Sequence, residues 1–174
     1  MPVSEPMQDA FQKEDAVEML NAFYQNLHIQ ELSSQHSIGV DDFKVGYEVV
    51  LQIKAPDGGV FALNFYDGDE NIVLHIVARY NWFGEVNVLV LNTFQQGSGW
   101  GLEIRPTGFD FQHGICMTMN VVAEGDGFHI LQNSREIALF PYRSGLPVSA
   151  VRRISVLSIA NQAAQDTDLT VKFI

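Results

Sequence analysis

The chain has 174 residues, of which 47% are hydrophobic and 18% charged, and its formal net charge is -11. This length fits one domain with a small extension, and the apolar content is ample for a core. The acidic balance argues against nucleic acid or an anionic membrane as a partner, because few cations are available to replace phosphate counterions. It sets no such limit on an uncharged ligand.

The sequence lacks the usual marks of a secreted or membrane-anchored protein. Its single cysteine, Cys116, excludes an internal disulfide bond. The N-terminus has neither the basic start nor the apolar run of a signal peptide, and no stretch approaches the roughly 20 apolar residues that span a bilayer. We therefore expect a cytoplasmic protein without membrane insertion, and export by an unconventional route stays open.

The chain changes character near residue 33, which divides it into an extension (residues 1–33) and a main domain (residues 34–174). In the extension, apolar residues recur at steps of three and four, which predicts a short amphipathic α-helix. Such a helix can pack on its own domain or mediate self-association into a homo-oligomer, and the sequence leaves both open. The apolar stripe consists of Val17, Leu20, Phe23, Tyr24 and Leu27.

From residue 43 onward, short runs rich in β-branched and aromatic residues alternate with turn-forming clusters of Gly, Asp, Pro and Ser. Many short strands without intervening helices indicate an all-β fold, namely an antiparallel β-sandwich or barrel. The predicted strands are residues 47–53, 60–66, 71–80, 85–92, 101–105, 115–122, 127–131, 136–140, 151–159 and 169–174.

Residues 75–105 contain a set of side chains that suits holding a sugar better than breaking a bond. Planar polar side chains can pair with two adjacent hydroxyls, and an indole ring can pack against the C–H face of a pyranose. Strand alternation places three of these residues on one face of the sheet, namely His75, Val77 and Arg79. The remaining candidates are Asn92, Trp100, Glu103 and Arg105.

The spacing of these residues resembles the carbohydrate-recognition domain of galectins. The family pattern is H-x-N-x-R, then an Asn about a dozen residues later, then W-G-x-E-x-R. This chain reads H-I-V-A-R over residues 75–79, Asn92, and W-G-L-E-I-R over residues 100–105. The resemblance covers roughly residues 38–174 and implies a galectin-like jelly roll, with the predicted helix as an addition to the usual domain.

For the bound sugar, the resemblance implies a β-galactoside. His75 and Arg79 are then expected to bind the axial 4-hydroxyl of galactose, and Asn92 and Glu103 the 6-hydroxyl. Trp100 is expected to stack on the C–H face of the ring. The expected ion-pair network, which also reaches the 3-hydroxyl of the next sugar residue, consists of Arg79, Glu103 and Arg105.

Position 77 departs from the family pattern, because Val77 stands where the family has its central Asn. Valine neither donates nor accepts a hydrogen bond, so one contact to the 4-hydroxyl is missing. Asp57, on the predicted turn at residues 56–59, is a candidate to fill the place; otherwise the affinity is weaker or the preferred sugar has changed. If the place is unfilled, Val77→Asn is expected to strengthen binding, and if a loop residue fills it, to weaken binding.

Metal sites and hydrolytic chemistry find little support in the sequence. The segment beginning at Asp67 imitates a calcium loop, but Ile72 and Ala78 occupy the positions that need Gly and Glu. His113 and Cys116 have a zinc-like spacing, but no second pair follows. A glycosidase needs two carboxylates about 5–9.5 Å apart, and only one carboxylate could be assigned to this set.

We therefore expect a non-enzymatic lectin for galactose-containing glycans or glycoconjugates, without cofactor or metal. The alternative is a galectin-fold structural or protein-interaction module whose sugar specificity is weak, lost or altered. Val77 favours the alternative, whereas the intact set of Asn92, Trp100, Glu103 and Arg105 favours the lectin.

Overall fold

The computed structural model describes residues 37–54, 59–81, 84–112, 114–159 and 168–173. Within these ranges the chain forms eleven β-strands and one short 3-10 turn, and the strands build two antiparallel sheets, so the predicted all-β sandwich is confirmed. The predicted N-terminal helix, the boundary near residue 33, Asp57 and His113 lie outside the described residues. None of the helical segments in these ranges is long and apolar enough to cross a membrane.

The first sheet has six strands: β1 (Ser37–Gly39), β3 (Gly59–Tyr66), β4 (Ile72–Asn81), β5 (Val88–Gln95), β6 (Gly99–Trp100) and β10 (Arg153–Ile159). Their order across the sheet is β1-β10-β3-β4-β5-β6, and all neighbours run antiparallel. The strands β3 and β4 are therefore central, and β4 places His75, Val77 and Arg79 in the middle of the sheet.

The second sheet has five strands: β2 (Tyr47–Lys54), β7 (Cys116–Ala123), β8 (Gly127–Gln132), β9 (Arg135–Pro141) and β11 (Asp168–Phe173). Their order is β11-β2-β7-β8-β9. After β9 the chain passes through the 3-10 turn (Val148–Ala150) and enters β10 of the first sheet. The segment between β9 and β10 thus connects the two sheets.

The core lies between the sheets, because alternate residues of each strand point towards the opposite sheet. Phe65 on β3 meets Phe128 on β8 with ring centroids 5.6 Å apart. Burying a side chain of this size contributes about 1.5–3 kcal/mol relative to leaving it exposed. The largest fully buried side chains are Phe43, Phe61, Phe65, Phe128, Phe140, Leu51, Ile53, Leu63, Leu74, Ile76, Leu89 and Leu91.

The structure differs from the predicted strands on either side of β5. The strand predicted at residues 85–92 begins at Val88, since Gly84 (φ 81°) and Asn87 (φ 53°) hold the backbone in the left-handed region. The strand predicted at residues 101–105 is reduced to an isolated bridge between Leu91 and Ile104. Sequence patterns also did not predict β1, which is only three residues long.

Candidate functional site

The face of the six-stranded sheet that points away from the core carries the predicted polar residues. In the register of the sheet, His75 on β4 lies between Asn64 on β3 and Asn92 on β5. Arg79 lies four residues further along β4 and on the same face. The exposed fractions of His75, Arg79 and Asn92 are 4%, 8% and 4%, so only a small part of each residue is accessible to a ligand.

His75 is held as a neutral ring in one tautomer. Its Nδ1 lies 2.5 Å from Oδ1 of Asn64, and an amide oxygen only accepts, so Nδ1 carries the proton. Burial, together with the positive charge of Arg79, lowers the pKa of His75 to about 3. The remaining nitrogen, Nε2, is therefore a hydrogen-bond acceptor at neutral pH.

Two arginines and two glutamates form an alternating ion-pair network beside His75. Arg79 donates to Oε2 of Glu85, and Nη1 of Arg105 donates to Oε1 of the same carboxylate at 2.5 Å. Arg105 also donates to Oε2 of Glu103 from Nε (3.0 Å) and Nη2 (2.9 Å). The network closes through Glu103 Oε1, which lies 3.9 Å from Nη2 of Arg79.

Glu85 is a member of this network that sequence reasoning did not find. Burial raises the pKa of Glu85, but hydrogen bonds from Arg79 and Arg105 outweigh it, so the pKa lies below its usual value and the carboxylate stays ionised. One signal was available in the sequence: Arg79 and Arg105 face a single predicted carboxylate, Glu103. Two buried or half-buried guanidinium groups need a second anion, because an unpaired charge is costly to bury.

Trp100 forms the aromatic wall of the site. It pairs with Phe94 across β5 and β6, and its ring lies 4.6 Å from the His75 ring and 5.3 Å from the Phe94 ring. The side chain is half-buried. Its Nε1 is buried and has no hydrogen-bond partner within the described ranges. The indole is thus fixed against His75 and keeps part of its surface open.

Val77 shares the face with His75 and Arg79, as strand alternation predicts, but its surroundings are apolar. It is fully buried (0% exposed) in a small aliphatic cluster with Val60, Ala62 and Val90. Ala62 and Val90 are its direct partners on the two neighbouring strands. The side chain of Val77 is therefore not available to a ligand.

The sequence of the domain that carries these residues matches a known protein family. Residues 37–162 match the sequence profile of a family described as galactoside-binding lectin. The chain belongs to the galactoside-binding lectin family. The two antiparallel sheets agree with this membership.

Relatives of this family member include proteins and solved structures from several animals. The β-galactoside-binding lectin of Electrophorus electricus is 28% identical over 118 residues, which is 67% of this chain and 91% of that protein. Galectin-1 of Ovis aries is 39% identical over 70 residues, 38% of this chain and about half (51%) of that protein. A tetrameric galectin from the sponge Cinachyrella is 38% identical, with a TM-score of 0.67 over 79% of this chain and 96% of that chain.

One group of side chains that could ligate a metal ion lies outside this site, at the turn between β7 and β8 of the five-stranded sheet. In the part of the chain that is described, Glu124, Asp126 and His129 bring one ligand atom each within 4.8 Å of one another. His129 already pairs with Asp126 (2.9 Å) and, through Nδ1, with Glu136 (3.2 Å), so ion pairing accounts for the group. Exposed acidic groups of this kind are common without an ion.

The segment that begins at Asp67 and imitates a calcium loop in sequence forms a hydrogen-bonded turn. Oδ1 of Asp67 accepts hydrogen bonds from the backbone N–H groups of Asp69 (2.8 Å) and Asn71 (2.9 Å). Its Oδ2 accepts from Nδ2 of Asn71 at 2.7 Å. The carboxylate therefore shapes the turn between β3 and β4, which is the usual use of Asp at such a position.

Proposed function

We propose that this protein is a non-enzymatic lectin that binds β-galactosides at the face formed by β4, β5 and β6. The observation that carries the proposal is the closed network of Arg79, Glu85, Arg105 and Glu103 beside the neutral His75 and the half-buried Trp100. Relatives point the same way: the lectin of Electrophorus electricus is named for β-galactoside binding, and a toad ovary galectin, 27% identical with a TM-score of 0.64, was solved with N-acetylgalactose.

The chemistry of the network fits sugar hydroxyls. Arg105 is held by hydrogen bonds to Glu85 and Glu103, and Arg79 by a hydrogen bond to Glu85 and an ion pair with Glu103. Their free N–H groups therefore point in fixed directions and lose little entropy on binding. His75 Nε2 offers an acceptor, and the arginines offer donors, which matches a hydroxyl that both donates and accepts. The epimer with the hydroxyl on the other side of the ring would leave these buried groups unpaired, at a cost of about 1–3 kcal/mol each.

The same ion pairs argue against a glycosidase. A general acid needs a carboxyl whose pKa is raised, so that it stays protonated near neutral pH. The pKa of Glu85 is shifted in the opposite direction by its arginine partners. Glu103 is paired with Arg105 and serves as a fixed acceptor. We therefore expect no release of glucose when the protein is incubated with lactose.

A titration with two disaccharides tests the proposal. Lactose and cellobiose differ only in the configuration at C4 of the non-reducing sugar, so they separate recognition of the axial hydroxyl from general sugar binding. We expect saturable binding of lactose and none of cellobiose in calorimetry. Equal binding of both sugars, or of neither by the folded protein, would remove the support for a galactoside site.

A second candidate function is a galectin-fold structural or protein-interaction module with weak, lost or altered sugar specificity. The aliphatic cluster of Val60, Ala62, Val77 and Val90 favours it, because it occupies the sheet face next to the polar residues. A glycan array distinguishes this module from the β-galactoside lectin. The lectin binds glycans with terminal galactose, a module with altered specificity binds glycans without it, and a module that has lost sugar binding retains no glycan.

We expect lactose binding to be nearly constant between about pH 5 and pH 8. His75 accepts a hydrogen bond only while neutral, and its pKa of about 3 keeps it neutral throughout this range. The depressed pKa also means that the unfolded chain takes up this proton first as the pH falls, so the contribution of His75 to stability declines from about pH 6.5 towards pH 3.

Calorimetric titrations at several pH values, together with NMR titration of the His75 ring, check this expectation. His129 is only partly buried, and its pKa is raised, first by its hydrogen bond to Asp126, so it is the internal control for a more accessible imidazole. A fall in affinity centred near pH 6.5 would show that His75 keeps its ordinary pKa.

We further propose that residues 1–33 serve self-association rather than sugar binding. The apolar stripe predicted for these residues contains none of the candidate polar site residues, and an exposed apolar stripe can be buried against a second copy of the chain. Deleting residues 1–33 is expected to lower the solution mass in light scattering and to abolish agglutination, while lactose affinity remains. Loss of lactose binding by a folded chain of residues 34–174 would show that the extension contributes to the site.

A further inference from the structure

Arg143 is an arginine outside the sequence constellation that nevertheless reaches it. It lies two residues after β9, in the connection between the two sheets, and begins a turn that Leu146 closes by donating to the carbonyl of Arg143 (3.1 Å). Gly145 takes a φ of 77° at the third position of this turn. The guanidinium carbon lies 4.6 Å from the centroid of the Phe140 ring, which orients the side chain by a cation–π contact.

The guanidinium of Arg143 joins two segments of the site. Its Nη1 donates to Oδ1 of Asn92 (2.9 Å) and to Oγ1 of Thr93 (2.9 Å), both on β5. Its Nη2 donates to the carbonyl of Leu102, between Trp100 and Glu103. The ion pairs of the described residues include none from Arg143 to a carboxylate. Its donors are used on neutral oxygen atoms.

The carbonyl of Leu102 lies where the strand ladder is interrupted. Phe94 pairs with Trp100 and Leu91 with Ile104, so the segment after β6 has one residue more than β5 between these pairs. Such a bulge takes backbone groups out of regular pairing. Arg143 satisfies one of them. A side chain at Gly101 would overlap with this guanidinium and with Thr93, which explains the glycine after Trp100.

The same contacts fix the amide of Asn92. Its Oδ1 accepts from the backbone N–H of Thr93 (2.8 Å) and from Arg143, which uses both lone pairs of the oxygen. Its Nδ2 donates one hydrogen to the carbonyl of Gly101 (3.0 Å). One N–H of the amide remains. Asn92 can therefore offer a donor, and no acceptor, to a bound molecule.

We propose that Arg143 is a positioning residue for the glycan site, which orients the Asn92 amide so that one Nδ2–H faces a sugar hydroxyl and holds the bulge between Trp100 and Glu103 in place. The inference rests on the proposed function. Only an arginine has a planar fork of donors that can reach the amide oxygen, the Thr93 hydroxyl and the Leu102 carbonyl together. Lysine, with a single ammonium group, reaches fewer of them.

The test combines Arg143→Gln with two sugars. Lactose and 6′-deoxylactose differ by the hydroxyl that the Asn92 donor is expected to meet. Arg143→Gln should weaken lactose binding by up to about tenfold, the upper size of one neutral hydrogen bond such as that between the Asn92 amide and a sugar hydroxyl. It should weaken the binding of 6′-deoxylactose by a clearly smaller factor, because this sugar lacks the hydroxyl that Asn92 meets and responds only to the loosened bulge beside Trp100. Arg143→Lys should fall between the variant and the wild type. Equal losses for both sugars, or no loss, would overturn the proposal.

A matched control and a sugar-free measurement complete the test. Arg152→Gln also removes an arginine that donates to backbone carbonyls, of Ser149 and Val151, but outside the site, and should leave lactose affinity unchanged. In NMR spectra without sugar, the Asn92 side-chain amide should be protected from exchange in the wild type and lose that protection in Arg143→Gln. Unchanged Asn92 signals would refute the positioning role. If the wild type binds neither sugar, the proposed function fails, and the NMR result still decides the role of Arg143.

Discussion

Replacing Trp100 by alanine is expected to abolish measurable lactose binding while the sandwich stays folded. A sugar that covers about 100 Å² of the indole gains roughly 2.5 kcal/mol from apolar burial, and stacking geometry contributes about 0.5–1.5 kcal/mol more. Their loss corresponds to about a hundredfold or more in affinity. The ring also holds one side of His75, at 4.6 Å, so its removal loosens the neighbouring acceptor.

The measurement is a calorimetric lactose titration of wild type and Trp100→Ala, with thermal unfolding as the check on the fold. Trp100 is half-buried at the edge of the sheet, so the melting temperature should fall by less than about 5 °C. Trp100→Phe keeps a smaller ring and should retain weak binding. Leu102→Ala is the control, because Leu102 is 85% exposed and contributes its backbone carbonyl rather than its side chain. Wild-type affinity in Trp100→Ala would show that the sugar does not contact this ring.

The face that His75 and Arg79 share was predictable because the period of a β-strand is two residues. The same rule places the core residues of β4 on the opposite face, where Leu74, Ile76 and Ala78 are fully buried. Most strands were predicted to within one or two residues, since turn clusters separate them. That spacing indicated an antiparallel sandwich or barrel, and the resemblance carried by the spaced polar motif indicated the sandwich and the family.

Contacts between distant segments were not predictable in the same way. Glu85 lies in a loop whose course depends on the left-handed residues Gly84 and Asn87, so its approach to Arg79 and Arg105 cannot be read from a pattern. Arg143 lies about fifty residues after Asn92, in the connection between the two sheets. No periodicity links such positions, because their contact is set by how the two sheets pack.

The burial of the site also depends on tertiary packing. Sequence alternation gives the direction of a side chain but not what lies over it. Strand alternation predicted the face on which His75 lies but not its low pKa of about 3, which follows from burial and from the charge of Arg79. The same limit applies to Val77. The sequence shows that it departs from the family motif, but its packing in an apolar cluster depends on its neighbours on β3 and β5.

Val77→Asn is therefore expected to destabilise the fold rather than to strengthen galactoside binding, which reverses the expectation from the motif alone. Val77 is 0% exposed and packs with Val60, Ala62 and Val90. An asparagine there brings an amide among aliphatic side chains, and a buried polar group without a partner costs about 1–3 kcal/mol. For a domain of this size the melting temperature should fall by roughly 3–10 °C.

Thermal unfolding and lactose titration of the same variant separate the two expectations. Val88→Asn is the matched control, since Val88 is only partly buried at the edge of the same cluster. The side-chain amide of an asparagine at this position can reach water. It should cost less stability than Val77→Asn. Tighter lactose binding by Val77→Asn at an unchanged melting temperature would mean that an amide at position 77 reaches the sugar, as the family motif implies. A loss of stability without a gain in affinity would mean that the apolar cluster, and not a missing hydrogen bond, accounts for valine at this position.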